Sequence, residues 1–177
     1  MLLDYRSRYV YYRSAFSIQY LEEVMTPAIN LLQKKGINFD VLSYQHDPSK
    51  QQFGLEAVEK LKLPAEQVFK TLVLEDTEHQ LLVAIVPVSQ QVNLKMLAKA
   101  AKVKKVQMAP QQKVENTTGY ILGGVSPLGQ KKRLNTYVHQ SADSFDVMYV
   151  SAGKRGLEIA LAPKDLCSLL NAKQADF

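Results

Sequence analysis

Apolar positions along this chain recur in two periods, and the places where one gives way to the other divide it into elements. Ala28, Ile29, Leu31 and Leu32 fall at helical spacing behind Thr26, a good N-cap, and Pro27, which suits a first helical turn; Gly36 ends the run. Residues 39–45 read as a strand, 55–61 as a short amphipathic helix, and Pro64 as the start of a turn. Residues 68–74 and 81–88 are strong strands joined through the polar stretch 76–80. Asn93 caps a helix to Ala101 that is expected to turn Leu94, Leu97 and Ala98 inward. A strand over 103–108 and a helix from Pro110 to just before Gly119 follow. Strands at 134–139, 145–151 and 157–161 then lead to a closing helix from Pro163 to Leu170. Helices and strands mix without a regular βαβ repeat, which predicts an α+β fold: one curved mixed sheet with helices on its outside.

Residues 1–24 stand apart from this pattern. They hold Tyr5, Tyr9, Tyr11, Tyr12 and Tyr20, five of the nine tyrosines, among Arg6, Arg8 and Arg13. They lack a continuous apolar stretch, and Asp4 sits near the start, which argues against a secretory signal. An N-terminal extension, or sequence upstream of a native start at Met25, is the expectation; an organelle transit segment and a tyrosine–arginine grip on RNA bases are the alternatives. Residues 25–177 then form the folded domain. At 177 residues with 46% hydrophobic content the chain can bury a real core, and no apolar run approaches the roughly 18 residues that span a bilayer. A single cysteine, Cys167, excludes an internal disulfide framework and fits a reducing, cytoplasmic setting. His46, His79 and His139 are scattered, so no metal-ligand spacing exists and no metal or cofactor is expected.

Charge changes the picture more by its placement than by its sum of +5. From Lys95 to Arg155 eleven cations face only Glu115, Asp143 and Asp146, so this segment carries +8 and the remainder −3. Such a field suits a phosphate backbone, although a Lys-rich solvated surface is the plainer reading. Within the segment, residues 118–133 pack glycines and a proline ahead of Lys131, Lys132 and Arg133. A loop of this kind lets amides approach a ligand, or simply joins two elements. It is not a P-loop: Gln130 stands where the motif needs lysine and Lys131 where it needs Ser or Thr.

No hydrolase constellation emerges from the nucleophiles. Cys167 lies among Leu166, Leu169 and Leu170 and reads as a buried thiol, and Ser126 and Ser151 sit in no Gly-x-Ser-x-Gly elbow. His46 and Asp47 are sequence neighbours, which rarely puts two side chains on one ligand. Lys70 interrupts the apolar strand Val68, Phe69, Lys70, Thr71, Leu72. Period-two alternation places it either in solvent or in a cleft as a fixed charge.

Taken in order, Thr26-Pro27-Ala28, Tyr44 with His46-Asp47-Pro48, Phe69-Lys70-Thr71, Gly119-Tyr120 with Gly123-Gly124-Val125-Ser126-Pro127-Leu128-Gly129, and residues 150–156 resemble the YbaK family of aminoacyl-tRNA deacylases, relatives of the prolyl-tRNA synthetase editing domain. The resemblance covers about residues 25–171 and implies a barrel-like sheet. It implies hydrolysis of mischarged Cys-tRNA(Pro), with Cys-tRNA(Cys) as a second substrate, in trans beside prolyl-tRNA synthetase and with no DNA or membrane partner. The substrate's own thiol would attack its ester, which accounts for the missing protein nucleophile.

By the same resemblance Lys70 holds the phosphate or ribose of the terminal adenosine, and Thr71 and Tyr44 shape the aminoacyl pocket. The loop Gly123, Gly124, Val125, Ser126 and Pro127 would offer amides to the developing oxyanion, and Ser151 would position the aminoacyl end or a water. Lys131, Lys132, Arg133, Lys154 and Arg155 would grip the acceptor stem. Glu158 stands where relatives carry an acid, often Asp; its extra methylene alters the pocket, or has no effect if the side chain is on the surface. The competing readings are an Ala-tRNA(Pro) deacylase using water, a non-catalytic tRNA- or synthetase-binding module, and a small-molecule-binding domain.

Overall fold

The computed structural model describes residues 25–177; the expected N-terminal extension, residues 1–24, lies outside them. Helix α1 (Pro27–Lys35) begins as its sequence demands. Thr26 Oγ1 accepts the Ile29 amide at 3.2 Å and donates to the Ala152 carbonyl at 2.6 Å, so the cap also ties the helix to the sheet. Gly36 leaves the helix at φ 65°, a conformation that costs glycine nothing. The chain continues through β1 (Phe39–Ser43), α2 (Phe53–Leu61), β2 (Val68–Asp76), β3 (Leu81–Pro87), α3 (Leu94–Ala101), β4 (Val106–Met108) and α4 (Gln111–Thr118). After the glycine-rich loop come β5 (Asn135–His139), a 3-10 turn (Gln140–Ser144), β6 (Met148–Lys154), β7 (Leu157–Leu161), α5 (Pro163–Leu170) and β8 (Lys173–Ala175).

The strands form one eight-stranded mixed sheet in the order β1-β7-β6-β2-β3-β5-β8, with β4 paired to β2 off that path. The β2–β6, β3–β5 and β5–β8 pairs are parallel; the others are antiparallel. This is the α+β architecture the pattern predicts. Strand β3 shows why its sequence is an unbroken apolar run. Val83 and Ile85 enter a large core with Ile29, Leu32, Phe69, Leu128, Ile159 and Leu166, while Leu82, Ala84 and Val86 enter a second with Leu74, Leu97, Val106 and Tyr137. Among the described residues no helix is long and apolar enough to cross a membrane.

Several expectations shift. Leu97 and Ala98 of α3 are buried as predicted, but Leu94, in the first turn, is exposed. The strand predicted over 103–108 is only Val106–Met108. Lys102 caps α3 in the left-handed region at φ 58°, and the Val103 amide turns back to the Ala98 carbonyl at 3.0 Å, so the preceding residues belong to the helix exit. The strand predicted over 145–151 is β6, Met148–Lys154, because a 3-10 turn occupies part of the connection; polar β8 carries no apolar alternation to announce it.

Candidate active site

The site lies where the sheet splits. Strand β2 pairs with β6 only at Val68 and Phe69 and with β4 only at Leu74, Glu75 and Asp76. Between these, Lys70, Thr71 and Leu72 have no strand partner on that edge among the described residues. The Val68 carbonyl accepts from Val88 on the β3 side at 2.8 Å, and the Val73 carbonyl accepts from Ala109 on the β4 side at 3.1 Å. Strand alternation therefore turns the peptide groups of Thr71 into the gap. The Thr71 hydroxyl is buried and has no hydrogen-bond partner among the described residues. An orphaned buried hydroxyl in a cavity wall keeps its hydrogen-bonding capacity for a water or a ligand that enters.

A cavity of about 740 Å³ fills this split, within the range of small-molecule sites. Its walls are β2, the start of α2 (Phe53, Gly54, Leu55), the loop at Leu122, Gly123 and Val125, and the residues leaving β3 (Ser89, Gln90, Gln91). Ser151 and Glu158, direct partners across the β6–β7 ladder, line it from the sheet. The lining holds one ammonium, Lys70, and one carboxyl, Glu158. Lys70 Nζ donates to the Gln90 carbonyl at 2.6 Å, and partial burial lowers its pKa. The cleft alternative for Lys70 is the one the geometry adopts.

Glu158 is the residue whose role the sequence left open. It is only 8% exposed, and burial pushes its carboxyl up to about 8, so at neutral pH it is mostly protonated and able to donate a hydrogen bond. Tyr44, by contrast, does not line the cavity. Its hydroxyl donates to the Phe53 carbonyl at 3.4 Å, and burial, then the nearby Glu158 and Glu56, raise its pKa strongly. It supports the wall from behind.

The glycine-rich loop divides into parts with different tasks. Gly123 lines the cavity at φ 84°, and a Cβ there would stand 2.6 Å from the Phe53 ring. The Gly124 amide is already spent on the Ile121 carbonyl at 3.0 Å, so it offers nothing to an oxyanion, whereas no hydrogen bond among the described residues takes up the amides of Gly123 or Val125. Ser126 and Pro127 are buried away from the cavity; Ser126 Oγ accepts the Leu128 amide at 3.3 Å, and its carbonyl accepts from Gln130 at 2.9 Å. These two hold the loop rather than face a ligand. Ser151 Oγ accepts the Gly153 amide at 3.3 Å.

The basic residues also separate. Lys131, Lys132 and Arg133 are exposed, line no part of the cavity, and are held against the end of α4 by the Lys131 and Lys132 amides. Lys154 is exposed as well. The Arg155 guanidinium is committed to the protein itself: it donates twice to the Leu122 carbonyl, at 3.1 and 2.8 Å, and lies 4.8 Å from the Phe53 ring centroid. It braces the cavity rim. Behind that rim the His46 ring is tilted against Phe53 and meets Glu56 at 2.7 Å, while the Asp47 amide donates to the other Glu56 oxygen at 2.7 Å. The two side chains do not converge: the His46 ring and the Asp47 amide hold Glu56, while the Asp47 carboxylate accepts from Ser49. Cys167 is half-buried on α5 outside the cavity, and burial, with Asp143 nearby, raises its thiol pKa. No cluster of three His, Cys, Asp or Glu suited to a metal occurs among the described residues.

Residues 52–169 match the family model described as an aminoacyl-tRNA editing domain. A curated protein of Enterococcus faecalis (strain ATCC 700802 / V583) named "Putative Cys-tRNA(Pro)/Cys-tRNA(Cys) deacylase EbsC" is 38% identical over 152 residues, covering 85% of this chain and 92% of its own. A crystal structure described as "a putative trans-editing enzyme for prolyl tRNA synthetase" superposes with a TM-score of 0.74 at 20% identity, covering 92% of this chain and 98% of its own. That of a hypothetical protein does so at 0.77 and 21% identity, covering 85% and 98%. The matched region contains every residue lining the cavity except Gln51, and the chain belongs to the aminoacyl-tRNA editing domain family.

Proposed function

We propose that this protein is a trans-editing deacylase that cleaves the aminoacyl ester of Cys-tRNA(Pro), with Cys-tRNA(Cys) as a second substrate, using the thiol of the substrate. The observation that carries the reading is the chemistry of the cavity: one fixed ammonium, one neutral carboxyl, an orphan hydroxyl and open amides, with no paired nucleophile and base lining it. The name of the 38% identical relative supports the choice of substrate.

In this reading Lys70 meets the phosphate or ribose of the terminal adenosine. Thr71 and Ser151 orient the aminoacyl group, and the Gly123 and Val125 amides face its carbonyl oxygen. The substrate sulfur, losing its proton, attacks the carbonyl carbon. The carbon–oxygen ester bond breaks, the terminal ribose oxygen leaves and takes up a proton, and cysteine departs as a thiolactone that water then opens. Tethering sulfur and carbonyl in one residue removes most of the entropic cost of their meeting, so the protein needs only to fold them together. Glu158, protonated, can donate to the ester without competing as a base.

The test is a panel of charged tRNAs incubated with purified protein. Free Cys-tRNA(Pro) is expected to be cleaved and its S-alkylated form to be spared; equal cleavage of both, or of Ala-tRNA(Pro), would replace the thiol route with water. Binding with no cleavage above the spontaneous rate would reduce the protein to a tRNA-binding module. Lys70→Ala is expected to lower the rate by about a hundredfold while leaving the circular dichroism spectrum unchanged.

A further inference from the structure

The cavity has a basic approach that lies apart from Lys131–Arg133. From His79 to Val114 the chain contains no Asp or Glu at all, yet it carries six lysines. One of them, Lys113, is taken up by Glu75 at 2.8 Å. The other five, Lys95, Lys99, Lys102, Lys104 and Lys105, are all exposed and make no ion pair among the described residues. Lys95 and Lys99, four residues apart, share one face of α3, and Lys102 follows them at its left-handed cap. Lys104 and Lys105 continue the charge to the start of β4.

Both ends of this lysine segment are joined to the cavity. Gln90 and Gln91, which line it, lie immediately before the Asn93 cap of α3, and Lys70 holds the Gln90 carbonyl. At the other end Met108, 52% exposed, closes β4 on the cavity rim. The carboxylates of β2 that face β4 are occupied: Glu75 by Lys113 and Gln107, and Asp76, opposite Val106, by the Glu78 and Gln80 amides of its own turn.

We infer that the α3 face and the α3–β4 connection bind the phosphate backbone of the RNA whose aminoacyl end occupies the cavity. This inference rests on the aminoacyl-RNA reading of the site and names the surface that carries the rest of the substrate. Exposed lysines on a stretch of chain without Asp or Glu serve a polyanion through counterion release, with little demand on sequence. An acidic protein, such as a synthetase, is the other class of partner that such a face could hold. Continuity with the cavity at both ends favours the RNA, because a nucleic acid leaving the cavity must cross one of its rims.

Two variants of the full chain, Lys95→Glu/Lys99→Glu/Lys102→Glu and the neutral Lys95→Gln/Lys99→Gln/Lys102→Gln, test this. Two readouts apply: Kd for uncharged tRNA across a salt series, and cleavage of a cysteinyl ester on a short oligonucleotide limited to the unpaired acceptor end. The expected result is a tRNA Kd at least tenfold weaker and a salt slope shallower by about 2, since each lost phosphate contact removes roughly 0.7–0.9 from the slope, with short-ester cleavage unchanged. An unchanged Kd and slope in both variants would overturn the assignment, and so would a loss confined to binding of prolyl-tRNA synthetase. If the wild type cleaves neither the short ester nor Cys-tRNA(Pro), the deacylase reading fails, while the salt series still decides the RNA surface.

Discussion

Glu56 and Glu158 are both nearly inaccessible, 2% and 8% exposed, and they answer burial in opposite ways. Burial opposes ionisation of Glu56, but the Asp47 amide and the His46 ring outweigh it and hold the carboxyl below its usual range. Glu158 has no hydrogen-bond partner among the described residues, and burial alone sets its proton affinity. The difference teaches that neighbours, rather than depth, decide what a buried acid does. Glu56 is a fastening between the chain before α2 and α2 itself; Glu158 keeps its hydrogen-bonding capacity for whatever enters the cavity.

The comparison breaks if the two acids prove interchangeable on substitution. The largest effect belongs to Glu56→Ala, which strands the His46 ring and the Asp47 amide; a loss of roughly 3 kcal/mol in a urea melt is expected. Glu158→Gln is expected to raise stability at neutral pH rather than cost any, because the unfolded glutamate ionises there while the buried one stays protonated, and glutamine does not titrate in either state. Its signature lies in pH. Between about 4.5 and about 8 the folded chain keeps a Glu158 proton that the unfolded chain releases. The contribution of Glu158 to stability therefore falls as pH rises through that window, and Glu158→Gln should flatten this component. In kinetics, the ratio of wild-type to Glu158→Gln rate is expected to fall above about pH 8, where only the wild type places a negative charge beside the ester. A constant ratio would remove Glu158 from the reaction. The smallest effect is that of Arg155→Ala, which frees the Leu122 carbonyl at an exposed rim; about 1 kcal/mol of stability and a weakened KM with kcat preserved are expected.

What the sequence showed and hid follows the range of each interaction. Thr26, Pro27 and Gly36 act within a few residues of themselves, so α1 was legible to its ends. The apolar run of β3 announced a strand covered on both faces. Lys70 stayed ambiguous because its surroundings depend on where β6 stops and β4 starts, two strands distant in sequence. Leu94 looked like a core position by spacing, but it opens the first turn of α3 and is exposed, while Leu97 and Ala98 further along are buried. The glycine-rich loop was recognisable as a unit, yet its division between the open amides of Gly123 and Val125, the spent amide of Gly124 and the buried Ser126 is a matter of folding back on Ile121 and Gln130. The charge state of Glu158 had no local signal, since it is set by burial in the folded chain.

The interruption in β2 has a consequence for what can compete at this site. Three residues of extended chain span only about 10 Å, and β6 and β4 close both ends. A foreign polypeptide cannot zip along so short an edge, so the opening is guarded against strand-wise self-association. On the deacylase reading, a compact sugar ester would still reach the same peptide groups. Blockers of this protein should therefore be sought among small acylated nucleosides rather than among peptides.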